Sequence, residues 1–263
     1  MIRTPASIFT LDGRVALVVG GGGAIGSALS VALAGAGAHV AVAGRTAPAL
    51  EAAVVRIRAT GSEGLPIVAD ATDRDAAEGM VAQTVARFGR LDIIVNAAGG
   101  GAGKVLFAAE EYPADAWDWI FELNVRSTLY ATQAAVKAMI AGGQGGRVVN
   151  ISSVRAQLGI NAGYSAYVAA KGAISSLTRQ WATEWARYGI TVNAISPTFV
   201  DTPQVATLLG DPVFKARVLS RIPLGRVGVT DDLIGPTLLF CSAAGSFVTG
   251  QILVIDGGLT ATQ

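Results

Sequence analysis

Short continuous apolar runs alternate along this chain with longer segments whose apolar residues recur at helical spacing. The runs fall at 15–19, 40–43, 65–69, 91–95, 147–151, 191–195 and 252–255. Helical patterns fill 24–36, 48–60, 73–88, 114–141 and 166–188. A run with no polar alternation predicts a strand buried on both faces. Strand and helix alternating throughout predict an α/β fold, a doubly wound parallel sheet of seven strands with helices on both faces. No linker or composition break divides 1–263, so one domain is expected. The least regular long stretch, 197–226, follows the carboxyl end of a strand, where such sheets bind ligands, and is expected to be a substrate loop.

Composition narrows the choice of partner. Half of the 263 residues are hydrophobic and the net charge is +1, with no Lys/Arg-rich block. Nucleic acid is therefore not expected. One cysteine, Cys241, and one histidine, His39, leave no disulfide and no metal spacing, so no metal is expected. His39, at a strand entry, reads as structural. The stretch 15–44 carries no Asp, Glu, Lys or Arg, but eight of its residues are glycine, four of them consecutive. Glycines at that density interrupt a spanning helix, and strand–turn–helix–strand fits instead. The first ten residues lack a signal-peptide apolar core. A cytoplasmic protein without membrane contact is the expectation.

The first strand runs into Gly20-Gly21-Gly22-Gly23-Ala24-Ile25-Gly26, in which Gly21, Gly23 and Gly26 satisfy G-x-G-x-x-G directly before a helix. In a Rossmann-type fold such a turn lets backbone approach a pyrophosphate at the helix N-terminus. About twenty residues on, where an acid would hold a ribose 2′-hydroxyl, the chain has Arg45 followed by Thr46. A guanidinium suits a 2′-phosphate, so NADP(H) is favoured and NAD(H) is the alternative.

Tyr167 and Lys171 stand four residues apart in a helical pattern and share a face. An ammonium there is expected to lower the phenol from about 10. A hydroxyl from Ser153, or from its neighbour Ser152, would share the substrate oxygen, giving acid–base machinery for a carbonyl. Arg155 could anchor an acidic group or be an exposed loop residue. Lys104, in the glycine-rich loop 99–104, is a further cation that could reach the pocket.

Taken in order, these motifs resemble the short-chain dehydrogenase/reductase family over nearly the whole chain. Gly20-x-x-x-Ala24-x-Gly26 is similar to its T-G-x-x-x-G-x-G turn, with Val19 for threonine and Ala24 for the middle glycine. Asp70-Ala71 resembles the adenine-contacting pair. Asn96-Ala97-Ala98-Gly99 resembles N-N-A-G, with Ala97 for the second asparagine. Asn124, Ser153, Tyr167 and Lys171 match the catalytic tetrad. Asn193-x-x-x-Pro197 and Asp256-Gly257-Gly258 match later segments, with Thr198 in place of a glycine. The Ser153–Tyr167 interval is one residue longer than usual, which keeps Ser152 open.

The resemblance implies that Tyr167 is the general acid and base, that Ser153 holds the reacting oxygen, and that Lys171 lowers the tyrosine pKa and binds the nicotinamide ribose. It implies that Asn124 holds a relay water. The cofactor would lie on Gly20, Gly22, Gly23, Ala24, Ile25 and Gly26, on Arg45, Thr46, Asp70 and Ala71, and on Asn96, Ala97, Ala98 and Gly99. Tyr167, Lys171, Pro197, Val200 and Thr202 would complete its site. Ser153, Arg155 and Tyr167 would meet a substrate similar to those of the gluconate 5-dehydrogenase, 2-deoxygluconate 3-dehydrogenase and glucose dehydrogenase branch. That is a secondary alcohol or ketone on a sugar, sugar acid or polyol. The resemblance further implies a homotetramer that uses helices 114–141 and 166–188. Rival readings are a 3-oxoacyl (carrier-protein), enoyl or other reductase, a non-catalytic NADP-binding regulator, and a methyltransferase.

Overall fold

In the computed structural model, which describes residues 4–262, a short helix α1 (Pro5–Phe9) precedes β1 (Val15–Val19), α2 (Ala24–Gly35), β2 (His39–Gly44) and α3 (Ala47–Arg58). There follow β3 (Gly64–Val68), α4 (Arg74–Phe88), β4 (Ile93–Asn96), α5 (Ala114–Phe121), α6 (Ser127–Gly142) and β5 (Gly146–Ile151). The chain closes with α7 (Ser165–Trp185), β6 (Ile190–Pro197), α8 (Pro203–Leu209), α9 (Pro212–Leu219), α10 (Ile234–Cys241) and β7 (Ile252–Ile255). The described part of the first ten residues includes α1, and Met1 to Arg3 lie outside the described residues.

All seven strands pair in parallel in the order β3-β2-β1-β4-β5-β6-β7. The uninterrupted apolar strands divide by side-chain alternation between two layers. Val15, Leu17 and Val19 of β1 join one core with Met80, Val81 and Met139 from α4 and α6. Ala16 and Val18 join the other with Leu29, Leu33, Leu50 and Ile57 from α2 and α3. Each large aliphatic side chain so buried contributes about 1.5–3 kcal/mol. His39 is structural: its ring stacks on Phe88 at 5.6 Å and its Nδ1 accepts from the Glu63 N–H. Among the described residues no helix is long and apolar enough to cross a membrane.

Three segments differ from the sequence expectation. The helix 114–141 is two helices joined by a π turn, Glu122–Arg126. The turn shifts the hydrogen bonding by one residue, so Ser127 N–H donates to the Glu122 carbonyl. The Leu123 and Asn124 carbonyls instead accept from the Ser127 and Thr128 hydroxyls, at 2.6 and 2.8 Å. Such turns are frequent at functional sites, and this one carries Asn124. The stretch 197–226 holds two short helices, α8 and α9, each with proline in its first turn. Lastly, α10 lies where the pattern predicts no element. Its Thr237, Phe240 and Cys241 are buried, which leaves little polar face for periodicity to register.

The strand order reverses direction at β1 and β4. Their carboxyl ends deliver Gly20 and Ala97 side by side, and the crevice outside that switch point is where doubly wound sheets bind ligands.

Candidate active site

Two adjoining cavities occupy the crevice. The first, about 390 Å³, runs from Arg45, Thr46, Asp70 and Ala71 past Gly20, Gly22 and Gly23 to Gly99. The second, about 200 Å³, is lined by Ser153, Arg155, Tyr167 and Lys171 on one side and by Pro197, Val200 and Thr202 on the other. Ala97, Ala98, Gly99 and Gln204 line both.

The glycine turn is dictated by close approach. Gly20 has φ +83°, and a Cβ there would sit 2.5 Å from the Ala98 amide nitrogen. A Cβ on Gly26 would sit 2.2 Å from the Gly20 carbonyl oxygen. These two glycines press α2 against β1 and β4. Gly26 thus acts by packing under the turn, and Ala24, at the first position of α2, costs nothing there. Gly23 is the N-cap of α2 and supplies no side-chain cap, so first-turn amides face the cavity with the helix dipole behind them. The residues present fit a dinucleotide: a long cleft, a capless helix start for pyrophosphate, and a cation at the far end. Arg45 Nη1 lies 3.9 Å from Asp70 Oδ2, both side chains largely exposed. The Thr72 backbone N–H, accepted by Asp70, holds that carboxyl below its ordinary range.

Asn96, expected among the cofactor residues, does not line either cavity. Its amide points inward and donates to Thr132 Oγ1 and Asn150 Oδ1 at 2.8 and 2.9 Å. It joins β4 to β5 and α6. Lys104, whose reach was open, lines the dinucleotide cleft and not the Tyr167 pocket.

The two adjacent serines separate cleanly. Ser152 Oγ bonds Ser175 Oγ at 2.8 Å and the Lys171 carbonyl at 3.3 Å, fastening β5 to α7. Ser153 Oγ accepts from the Arg155 N–H at 3.2 Å and stands beside the phenol of Tyr167. Ser153 is therefore the serine available to a substrate, despite the lengthened interval.

Lys171 is buried, and its Nζ donates to the Ile151 carbonyl at 2.9 Å while lying 5.6 Å from the centre of the Tyr167 ring. The expected lowering of the tyrosine is not what these residues produce. Desolvation pushes Tyr167 up to about 12, with the Ser153 hydroxyl and Arg155 acting the other way. Desolvation likewise pulls Lys171 down to about 8. Burial disfavours the charged form of each group and so moves the two in opposite directions.

Asn124 is wholly buried. Its Oδ1 accepts from the Gly100 N–H at 2.8 Å, and its Nδ2 donates to the Gly100 and Ile120 carbonyls at 3.1 and 3.0 Å. The side chain clamps the glycine loop over the crevice and leaves little capacity for a relay water. Gly99, at φ +145°, passes so close that a Cβ would lie 2.7 Å from Asn124 Oδ1 and 3.4 Å from Lys171 Nζ. Residues the sequence reading missed include Tyr164, whose ring meets Tyr167 edge-on at 6.4 Å, and Gln204 on α8. Both adjoin recognised positions, yet neither carries a motif of its own.

Residues 21–260 match the family described as Enoyl-(Acyl carrier protein) reductase. The chain is 37% identical to gluconate 5-dehydrogenase from Gluconobacter oxydans, covering 96% of this chain and 97% of that one. The chain belongs to the short-chain dehydrogenase/reductase family. Its structure is similar to a short-chain type dehydrogenase/reductase from Mycobacterium marinum, with TM-score 0.89, 34% identity, and 99% and 100% of the two chains covered. It is also similar to gluconate 5-dehydrogenase from Burkholderia cenocepacia in complex with NADP and tartrate, with TM-score 0.91, 34% identity, and 99% and 100% covered. As a member of this family the chain is an NAD(P)-dependent oxidoreductase acting on CH–OH and C=O groups.

Proposed function

We propose that this short-chain dehydrogenase/reductase interconverts a secondary alcohol and a ketone on a sugar acid or similar polyhydroxy substrate, with preference for NADP(H). The observation that carries the reading is the convergence of Ser153, Tyr167 and Lys171 in one small pocket that opens directly onto a dinucleotide cleft. Gluconate 5-dehydrogenase relatives, one of them solved with NADP, support the substrate class and the cofactor. Arg45 at the ribose end, with no acid at its own position, supports the 2′-phosphate.

A bound nicotinamide cofactor supplies or accepts the hydride. Tyr167 gives its phenolic proton to the carbonyl oxygen in reduction and takes it back in oxidation. Ser153 donates a hydrogen bond to the same oxygen and stabilises the charge developing there. Lys171 holds the nicotinamide ribose, and Asn124 holds the loop that roofs it. The enzyme works as a homotetramer in the cytoplasm.

The test is a panel of sugar acids, sugars, polyols, keto acids and 3-oxoacyl thioesters, assayed with NADP and NAD in parallel. Turnover is expected on a sugar acid with NADP. Tyr167→Phe is expected to lower kcat by about 100- to 10,000-fold while NADPH still binds by fluorescence titration. A panel that responds only to 3-oxoacyl thioesters, or a Tyr167→Phe variant at wild-type rate, sinks the reading.

A further inference from the structure

Arg155 is a cation without a counter-charge. It is 6% exposed and lines the Tyr167 pocket. Buried arginines are nearly always paired. Elsewhere in the chain Arg14 and Arg90 share Asp92, Arg126 has Glu122, and Arg226 has Asp232. Arg155 has no such partner: among the described residues no carboxylate comes within 4 Å of it. Its one side-chain bond is Nη1 to the Gly159 carbonyl, at 3.3 Å. Its backbone N–H is bound to Ser153 Oγ, which ties this residue to the serine of the same pocket.

We infer that Arg155 is the carboxylate-binding residue of this pocket, so that the substrate is selected by its acid group. The inference rests on the polyhydroxy-acid reading above and deepens it. A planar guanidinium fork matches a carboxylate bidentately, and the small pocket favours a short acid over an extended chain.

The test is calorimetric titration of the NADPH-loaded protein, a pairing that cannot turn over an alcohol, with D-gluconate, neutral D-glucitol and D-glucitol 6-phosphate. Wild-type protein is expected to bind gluconate on the order of 10- to 100-fold more tightly than glucitol, as for a charge-assisted pair. Arg155→Gln should erase most of that gap with NADPH affinity unchanged. Arg155→Lys keeps the charge without the fork; it should narrow the gap part-way, and it decides the matter if Arg155→Gln does not fold.

A wild-type protein with no gap, a gap that survives both Arg155 variants, or tighter binding of the phosphate each overturns the assignment. The two readings fail separately. Gluconate bound through Arg155 but no sugar acid oxidised refutes the proposed function alone. Sugar acids oxidised with the gap intact in the variants refutes the anchor alone.

Discussion

Replacing Lys171 by methionine should make the cofactor-free protein more stable while abolishing its activity. Lys171 is 3% exposed and has a single protein acceptor, the Ile151 carbonyl. Burial takes its pKa from 10.5 to about 8, which disfavours the folded, charged form by about 3 kcal/mol at neutral pH. The folded value lies below the unfolded one. The associated stability is therefore present above about pH 10.5 and is lost as pH falls through about 8, so at pH 7 the fold carries the whole penalty. Methionine fills the same channel without charge and gives up one hydrogen bond, worth about 1 kcal/mol. The net gain is about 2 kcal/mol at pH 7. At about 2–4 °C per kcal/mol for a chain of this size, Tm rises by about 4–8 °C. By pH 10 most of the wild-type penalty has gone, and the two proteins should unfold nearly together. Thermal unfolding of both at pH 7 and pH 10, at one protein concentration, measures this. A Lys171→Met protein no more stable than wild type at pH 7, or an advantage undiminished at pH 10, would refute the reasoning.

Gly26→Ala places a methyl group 2.2 Å from the Gly20 carbonyl oxygen, and backbone cannot yield as a side chain would. It should cost at least about 3 kcal/mol of stability and remove NADPH binding in a fluorescence titration. Arg45→Asp should lower the NADP/NAD ratio of kcat/KM by about 10- to 100-fold, chiefly through KM for NADP; an unchanged ratio would show that Arg45 does not meet the 2′-phosphate. With Tyr167 held near 12 and Lys171 near 8, the pocket is a proton donor at neutral pH. Ketone reduction should stay level up to about pH 8 and fall above it, while alcohol oxidation climbs with pH. A reduction rate still rising beyond pH 9 would contradict that assignment.

The sheet was legible because its strands announce themselves. Five consecutive buried residues in β1 have no polar alternation, and only a strand covered on both faces uses such a run. All seven strands match to within about two residues, the ordinary slack of element boundaries. What periodicity cannot show is a change of helical pitch that leaves composition untouched. The π turn at Glu122–Arg126 is apolar and polar in the same rhythm as its neighbours. The signal was Ser127-Thr128, two hydroxyls placed to take the Leu123 and Asn124 carbonyls that the wider turn releases. The sheet order put Gly20, Ala97 and Ser153 at one edge, and the Tyr-x-x-x-Lys spacing put two side chains on one helix face. Burial, in contrast, depends on what covers a residue from distant parts of the chain. Hence Asn96, at a motif position that suggests a cofactor contact, is interior, and desolvation is the largest influence on Tyr167.

Ser152 and Ser153 show how the fold decides between residues that a motif leaves equal. β5 ends at Ile151, and along extended backbone successive side chains leave on opposite sides. Ser152 points to α7 and is consumed there by Ser175 and the Lys171 carbonyl. The alternate side belongs to Ser153, which faces Tyr167. An extra residue between Ser153 and Tyr167 does not disturb this, because it is taken up in the loop between the 3₁₀ turn Val154–Ala156 and α7. The phase of the strand fixes the serine, and the phase of the helix fixes the tyrosine and lysine. The interval between them is free to vary in length, and this chain uses it to carry Arg155 to the pocket wall. On the proposed reading, the chemistry is held by the regular elements and selectivity by the loop that joins them. For that reason a change at Arg155 is expected to alter which substrate is accepted before it alters how the proton moves.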